Sequence, residues 1–119
     1  MGIEQVLIPA FAGLGKVTAH GSVTSGAVTV DPPATSAVDT VTIGANTTFT
    51  MPDPAAAGAG ARKTLLITQD ATGSRTGTFT GVKFPGGTHT LSVTAGDVDK
   101  VEFVSDGTTW YGTLWLAEA

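Results

Sequence analysis

From Ala27 to the C-terminus the chain is written in short alternating runs. Within a run apolar residues tend to fall at every second position, and the runs recur about every 8–12 residues, separated by Gly, Pro, Asn or Asp. Side chains that recur at every second position share one face of an extended strand, so such runs are expected to be half-buried strands. Ala27-Val-Thr-Val-Asp31 stops at Pro32-Pro33, and Val38-Asp-Thr-Val-Thr-Ile43 follows, with Val41 and Ile43 on one face. Gly44-Ala45-Asn46 reads as a turn, and Thr47-Thr-Phe-Thr-Met51 then aligns Phe49 with Met51. Pro52 to Ala61 is rich in Ala, Pro and Gly; it predicts a loop with at most one helical turn.

Lys63-Thr-Leu-Leu-Ile-Thr-Gln69 is the most apolar run and predicts a central strand. Asp70-Ala-Thr-Gly73 is a turn, and Thr76–Thr80, Val82–Phe84, His89–Val93 and Asp99–Ser105 are further strand candidates. Asp106-Gly107 is a dipeptide preferred in two-residue type I′ hairpin turns. The last strand, Thr108–Leu116, is apolar on both faces: Trp110, Leu114 and Leu116 share one parity, Tyr111 and Trp115 the other. With no amphipathic helix of ordinary length, the pattern predicts an all-β fold, a single antiparallel β-sandwich resembling a jelly roll.

Residues 1–25 differ from this pattern. Ile3, Val6, Leu7, Ile8 and Phe11 form an apolar stretch broken by Pro9, and Gly13, Gly15 and Gly21 follow. This is either a first strand with a loop or an extended arm that docks on a neighbour. The division adopted is an arm over 1–25 and a sandwich domain over 26–119.

Composition narrows the function classes. The chain has no cysteine, which excludes disulfides, thiolate metal sites and cysteine nucleophiles. Only 13% of residues are charged, against about 25% in an average globular domain. With few charges to hold a lone monomer in solution, oligomerisation or docking on a larger body is expected. The net charge is −4 and the six basic residues are scattered, so no basic stripe for nucleic acid is visible. The Arg62-Lys63 pair is expected to be a solvated strand start. No run approaches the ~20 apolar residues of a membrane helix, and no secretory leader is visible. Synthesis in a cytoplasm followed by assembly is the expected setting.

Candidate chemistry is sparse. His20 and His89 stand outside any metal-ligand spacing, and His89 with Ser92 or Ser105 is a poor triad candidate. Asp97, Asp99, Asp106 and Asp70 supply oxygens that calcium favours, but turn-forming aspartates are the simpler reading. Gly13-Leu-Gly-Lys-Val lacks the leading glycine and the hydroxyl of a phosphate loop. No catalytic residue, cofactor or metal is expected. Trp110, Tyr111, Leu114, Trp115 and Leu116 are expected to form an oligomer interface, since aromatic residues on a terminal strand usually serve a core or an interface.

Several pieces, in order, resemble a β-rich module of tailed-bacteriophage virion proteins. They are Asn46-Thr-Thr-Phe-Thr50, Leu66-Ile-Thr-Gln-Asp-Ala-Thr-Gly73, Val82-Lys-Phe-Pro-Gly-Gly87, Thr94-Ala-Gly96 and Phe103-Val-Ser-Asp-Gly-Thr-Thr-Trp-Tyr-Gly112. The resemblance implies a virion location, a β-sandwich and a homotrimer, and carries no catalytic residues. The short stretch ahead of the module is similar to capsid decoration (cementing) proteins. The expectation is therefore a trimer on the outer capsid surface, stabilising the shell, with Ile3, Val6, Leu7, Ile8 and Phe11 lying along the major capsid protein. The alternative is a short tail-fibre or tail-tip module that recognises a host surface glycan.

Overall fold

A computed structural model describes residues 15–87 and 89–117 of the chain. Nine strands and one short helix form in the order β1 (Val17–Val23), β2 (Ala27–Thr29), β3 (Val38–Ile43), β4 (Thr47–Thr50), α1 (Pro54–Ala57), β5 (Arg62–Gln69), β6 (Gly77–Thr80), β7 (Val82–Lys83), β8 (Val98–Ser105) and β9 (Trp110–Trp115). The fold is mostly β, as the alternation predicts. The larger sheet runs β1-β3-β5-β8-β9-β7 and the smaller β2-β4-β6.

The strand pairing departs from the antiparallel, jelly-roll-like arrangement expected. β1, β3 and β5 pair parallel, and so do β2, β4 and β6. The chain alternates between the two sheets, so each strand pair β1-β2, β3-β4 and β5-β6 forms one coil stacked on the last. Val17 to Val38 and Ala27 to Thr48 are the same interval in sequence, which keeps the first two coils in step. Corner segments stack as well. Gly44 N–H donates to Val23 O at 2.8 Å, Thr48 N–H to Gly26 O at 2.9 Å, and Thr47 N–H to Thr76 O at 2.8 Å. The turn at Gly44-Ala45-Asn46 is thus a corner between sheets. Among the described residues only β5-β8 and β8-β9 pair antiparallel, and β7 then pairs parallel with β9 at the margin of the larger sheet.

Both sheets contribute to one core. Val28, Val30 and Phe49 face Val41, Ile43, Leu65, Ile67, Val101 and Phe103 within a single buried cluster that also holds Leu91, Trp110 and Leu114. Register places Phe49 beside Phe79, and their rings stack at 5.1 Å and 14°. Phe79 then meets Phe84 edge-on at 5.4 Å.

β1 lies within residues 1–25 and forms an edge of the larger sheet, in line with the first of the two readings of that segment. Two other local features differ from expectation. Residues 89–93 are not a strand; Leu91 leaves the sheet to fill the core over Gly77, where a Cβ would lie 2.7 Å from its Cδ1. The β8-β9 loop spans Asp106–Thr109, because Ser105 pairs with Trp110. This four-residue loop replaces the two-residue turn. Asp106 Oδ1 sets its geometry by accepting from Thr108 and Thr109 N–H at 2.9 and 2.7 Å. The one helical turn is capped by Asp53, whose Oδ1 accepts from Ala55 N–H at 3.0 Å.

Phe49 is fully buried and stacked on one side, so its truncation leaves a cavity that the parallel ladder cannot collapse around. Phe49→Ala is expected to lower unfolding stability by about 3–5 kcal/mol. Denaturant unfolding followed by tryptophan fluorescence checks this.

Candidate functional site

The densest polar chemistry lies inside the coil, at the starting ends of the parallel strands. Thr18 and His20 come from β1, Asp39 from β3 and Lys63 from β5; Asp31 and Ser36 belong to the β2–β3 connection. Alternation explains the placement. Lys63 shares parity with Leu65 and Ile67, and Asp39 with Val41 and Ile43, so both point inward.

Lys63 and Asp39 are a wholly buried ion pair, with Nζ 2.5 Å from Oδ1. Lys63 Nζ also donates to Ser36 O at 2.6 Å and Ser36 Oγ at 2.7 Å. Asp39 accepts from Ser36 Oγ on Oδ1 at 2.9 Å and from Asp31 N–H on Oδ2 at 3.0 Å. His20 Nε2 lies 2.7 Å from the same Oδ2. Thr18 Oγ1 sits 2.8 Å from both Asp31 Oδ2 and Ser36 Oγ. Burial alone would push the Asp39 carboxyl up. Bonds from Lys63, the Asp31 N–H, His20 and Ser36 outweigh it and hold the carboxyl below the usual range. Among the described residues, no buried side-chain nitrogen or oxygen lacks a partner.

This cluster corrects the reading of Arg62-Lys63 as a solvated pair: Arg62 is exposed, whereas Lys63 is buried. His20, which stood alone in the sequence, gains partners only through strand stacking. The parity of Lys63 with Leu65, Ile67 and Gln69 was the available signal. The partner could not be read, because Asp39 is brought beside it by a parallel pairing between distant strands.

The aspartates considered for calcium are occupied by the backbone instead. Asp99 accepts from Ser92 and Ala117 N–H at 2.7 and 2.8 Å, and Asp97 from Thr94 N–H at 3.2 Å. Asp70 accepts from Thr72 and Gly73 N–H and pairs with Arg75 at 3.0 Å. Among the described residues no group of three or more acidic or histidine side chains is placed to hold a metal. His89 is exposed beside Phe84, while the Ser105 hydroxyl donates to Pro54 O and the Ser92 hydroxyl accepts from Ala117 N–H.

Gln69, Gly73 and Trp110, which belong to the motif pieces quoted above, tie loops and corners to the strands here. Gln69 is buried; its Nε2 donates to Arg75 O and Ser92 O, and its Oε1 accepts from Arg75 N–H. Gly73 adopts φ 74°, and a Cβ there would meet Val93 O at 2.7 Å and Ala95 N at 2.8 Å. Trp110 donates its indole N–H to Pro52 O at 2.8 Å.

The expected interface residues divide. Trp110 and Leu114 belong to the chain's own core. Trp115 and Leu116 are 53% and 51% exposed, and Tyr111 is half-buried. Trp115 lies on the outer face of the larger sheet, in a row across it with Thr40, Leu66 and Lys100. Lys100 Nζ sits 5.6 Å from the Trp115 ring and 3.5 Å from Glu102. Ile3, Val6, Leu7, Ile8 and Phe11 lie outside the described residues. Comparison with known protein families, curated proteins and solved structures returns no match.

Two predictions follow from these contacts. Lys63→Met leaves the Asp39 carboxylate buried without its cation, and is expected to cost about 3–5 kcal/mol in denaturant unfolding. For Asp70, the Arg75 hydrogen bond and the Gly73 N–H hold the carboxyl below its ordinary value. A depressed carboxyl stabilises the fold above its unfolded pKa and loses that contribution as pH falls through the folded pKa. Arg75→Leu should move the Asp70 titration, followed by carboxyl chemical shift, up toward the ordinary carboxylate range.

Proposed function

We propose that this chain is a structural protein of a bacteriophage virion, a capsid decoration protein. It binds the outer surface of the major capsid protein shell as a homotrimer and stabilises that shell. The observation that carries the reading is the outer face of the larger sheet. Its inner strands present Val38, Thr40, Thr42, Thr64, Leu66 and Thr68, all half-buried, and its margins expose Val17, Val98 and Trp115. The charges on β8, Lys100 and Glu102, pair with each other. Parallel strands generally have both faces covered, and a face of threonine and aliphatic side chains with few unpaired charges suits burial against another protein. Trp115, Leu116 and Tyr111 then serve the subunit contact, while Trp110 and Leu114 hold the strand that carries them.

In this reading the apolar stretch Ile3–Phe11 lies along the capsid protein and adds contact area per copy. A ligand that binds only the assembled shell stabilises it by mass action. No bond-making is required of the protein, and the motif residues shared with virion modules serve its architecture.

A second reading rests on a different observation. A shallow hollow on the same face is lined by Arg62, Pro85, Glu102, Tyr111 and Thr113. An aromatic ring beside charged and hydroxyl side chains suits a saccharide, as a tail-tip receptor-binding module would require.

Cryo-electron microscopy of intact virions separates the two. Decoration places regular trimeric density over the shell; density confined to the tail overturns it in favour of receptor binding. Deleting residues 2–12 is expected to abolish shell binding and leave the trimer intact, measured by co-sedimentation with capsids and by light scattering.

A further inference from the structure

We infer that Lys63 and Asp39 condense into an isopeptide bond, a covalent staple between β3 and β5 that forms without cofactor or partner protein. Three observations carry this. The first is proximity. Nζ lies 2.5 Å from Oδ1, shorter than the usual range of about 2.7–2.9 Å for a charged N–H···O contact. Well-oriented reactants held together in one pocket can reach effective molarities on the order of 10⁵–10⁸ M.

The second is burial. Both side chains are 0% exposed. Two ions removed from water carry a desolvation penalty that their attraction must repay. A buried amide carries no net charge, and the water formed can pass to bulk solvent. Condensation therefore replaces a pair of buried charges with one neutral group.

The third is the set of groups around the pair. Condensation needs the neutral amine and acid, a minor form reached by moving one proton from Nζ to the carboxyl. The Nζ lone pair then attacks Cγ, forming the C–N bond, and the C–Oδ2 bond breaks. Of the three protons on the starting ammonium, one stays on the amide nitrogen and two leave with Oδ2 as water. Nothing is oxidised or reduced. His20 Nε2 is 2.7 Å from Oδ2 and is positioned to pass a proton to that departing oxygen. Ser36 O and Oγ hold Nζ in place at 2.6 and 2.7 Å. The His20 side chain is 19% exposed, so this corner of the pocket reaches the surface and gives the water a way out.

The staple would close the chain between residues 39 and 63 in a protein that has no cysteine for a disulfide. It does not depend on the virion reading.

Intact-mass spectrometry of the full chain, held folded at neutral pH and then denatured, tests the inference. The mass is expected to fall below that of the sequence by one water, with a branched peptide joining the Asp39 and Lys63 fragments after proteolysis. Asp39→Ala and Lys63→Met should each restore the full sequence mass. His20→Ala should slow the loss. A folded wild-type chain that keeps the full mass after prolonged incubation overturns the inference, whether or not the variants fold. A water lost as cyclic imide at Asp106-Gly107, with no branched peptide, overturns it equally.

Discussion

In-register stacking of parallel strands is the constraint on which the rest of this structure depends. β1, β3 and β5 form one ladder and β2, β4 and β6 the other. Each coil therefore places its inward residues directly over those of the coil before. The Phe49–Phe79 stack follows from this. Asp39 lies in register with Thr18 and Leu65, and His20 and Lys63 reach its carboxylate diagonally from the two neighbouring strands. Side chains alternate faces along a strand, so a slip of one residue would turn Lys63 and Asp39 out and bring their neighbours in. A charged pair wholly inside the coil penalises that slip heavily, because either partner alone would be an uncompensated buried charge. While it is charged, the pair is thus better understood as a device for register than as a source of net stability.

Polar side chains elsewhere complete the corners that the coil requires. Gln69, Asp70, Asp99 and Asp106 each accept from backbone N–H groups at the ends of strands or in the loops between them. An all-β chain with long connections exposes many such groups, and leaving them unpaired in the interior is costly. The order of motif pieces along the second half of the chain therefore reflects a set of corners. This accounts for a run of polar and glycine residues without any catalytic role. The hairpin β8-β9 closes the larger sheet, and the Trp110 indole ties it to Pro52 ahead of the short helix.

The surface reads as the complement of this interior. A sheet whose outer face is mainly threonine and aliphatic side chains offers area but little direction. Such a face suits shape-matched contact with a large neighbour more than recognition of a small ligand. Trp115 is the exception, a large ring left exposed at the margin with Lys100 alongside. The functional proposal rests on that contrast between a chemically quiet outer face and a tightly bonded interior.

Strand positions were legible in the sequence, because period-two alternation is a local property. β3, β4, β5 and β8 lie where their alternating residues put them, and the break at 52–61 holds the single helical turn expected. The sequence also determined which parity of each strand would be apolar. Which strands pair was decided by tertiary structure. Alternation is the same for parallel and antiparallel neighbours, so the turn at Gly44-Ala45-Asn46 could not be told from a corner between sheets. The segment 89–93 alternates like a strand, yet Leu91 is held by the core and Ser92 by Gln69 and Asp99. The fates of Trp110 and Trp115 were separable only once β9 had a sheet to define its inner face. The Lys63–Asp39 pair was hidden for the same reason: its members meet through a ladder between distant strands, and no local pattern encodes such a contact.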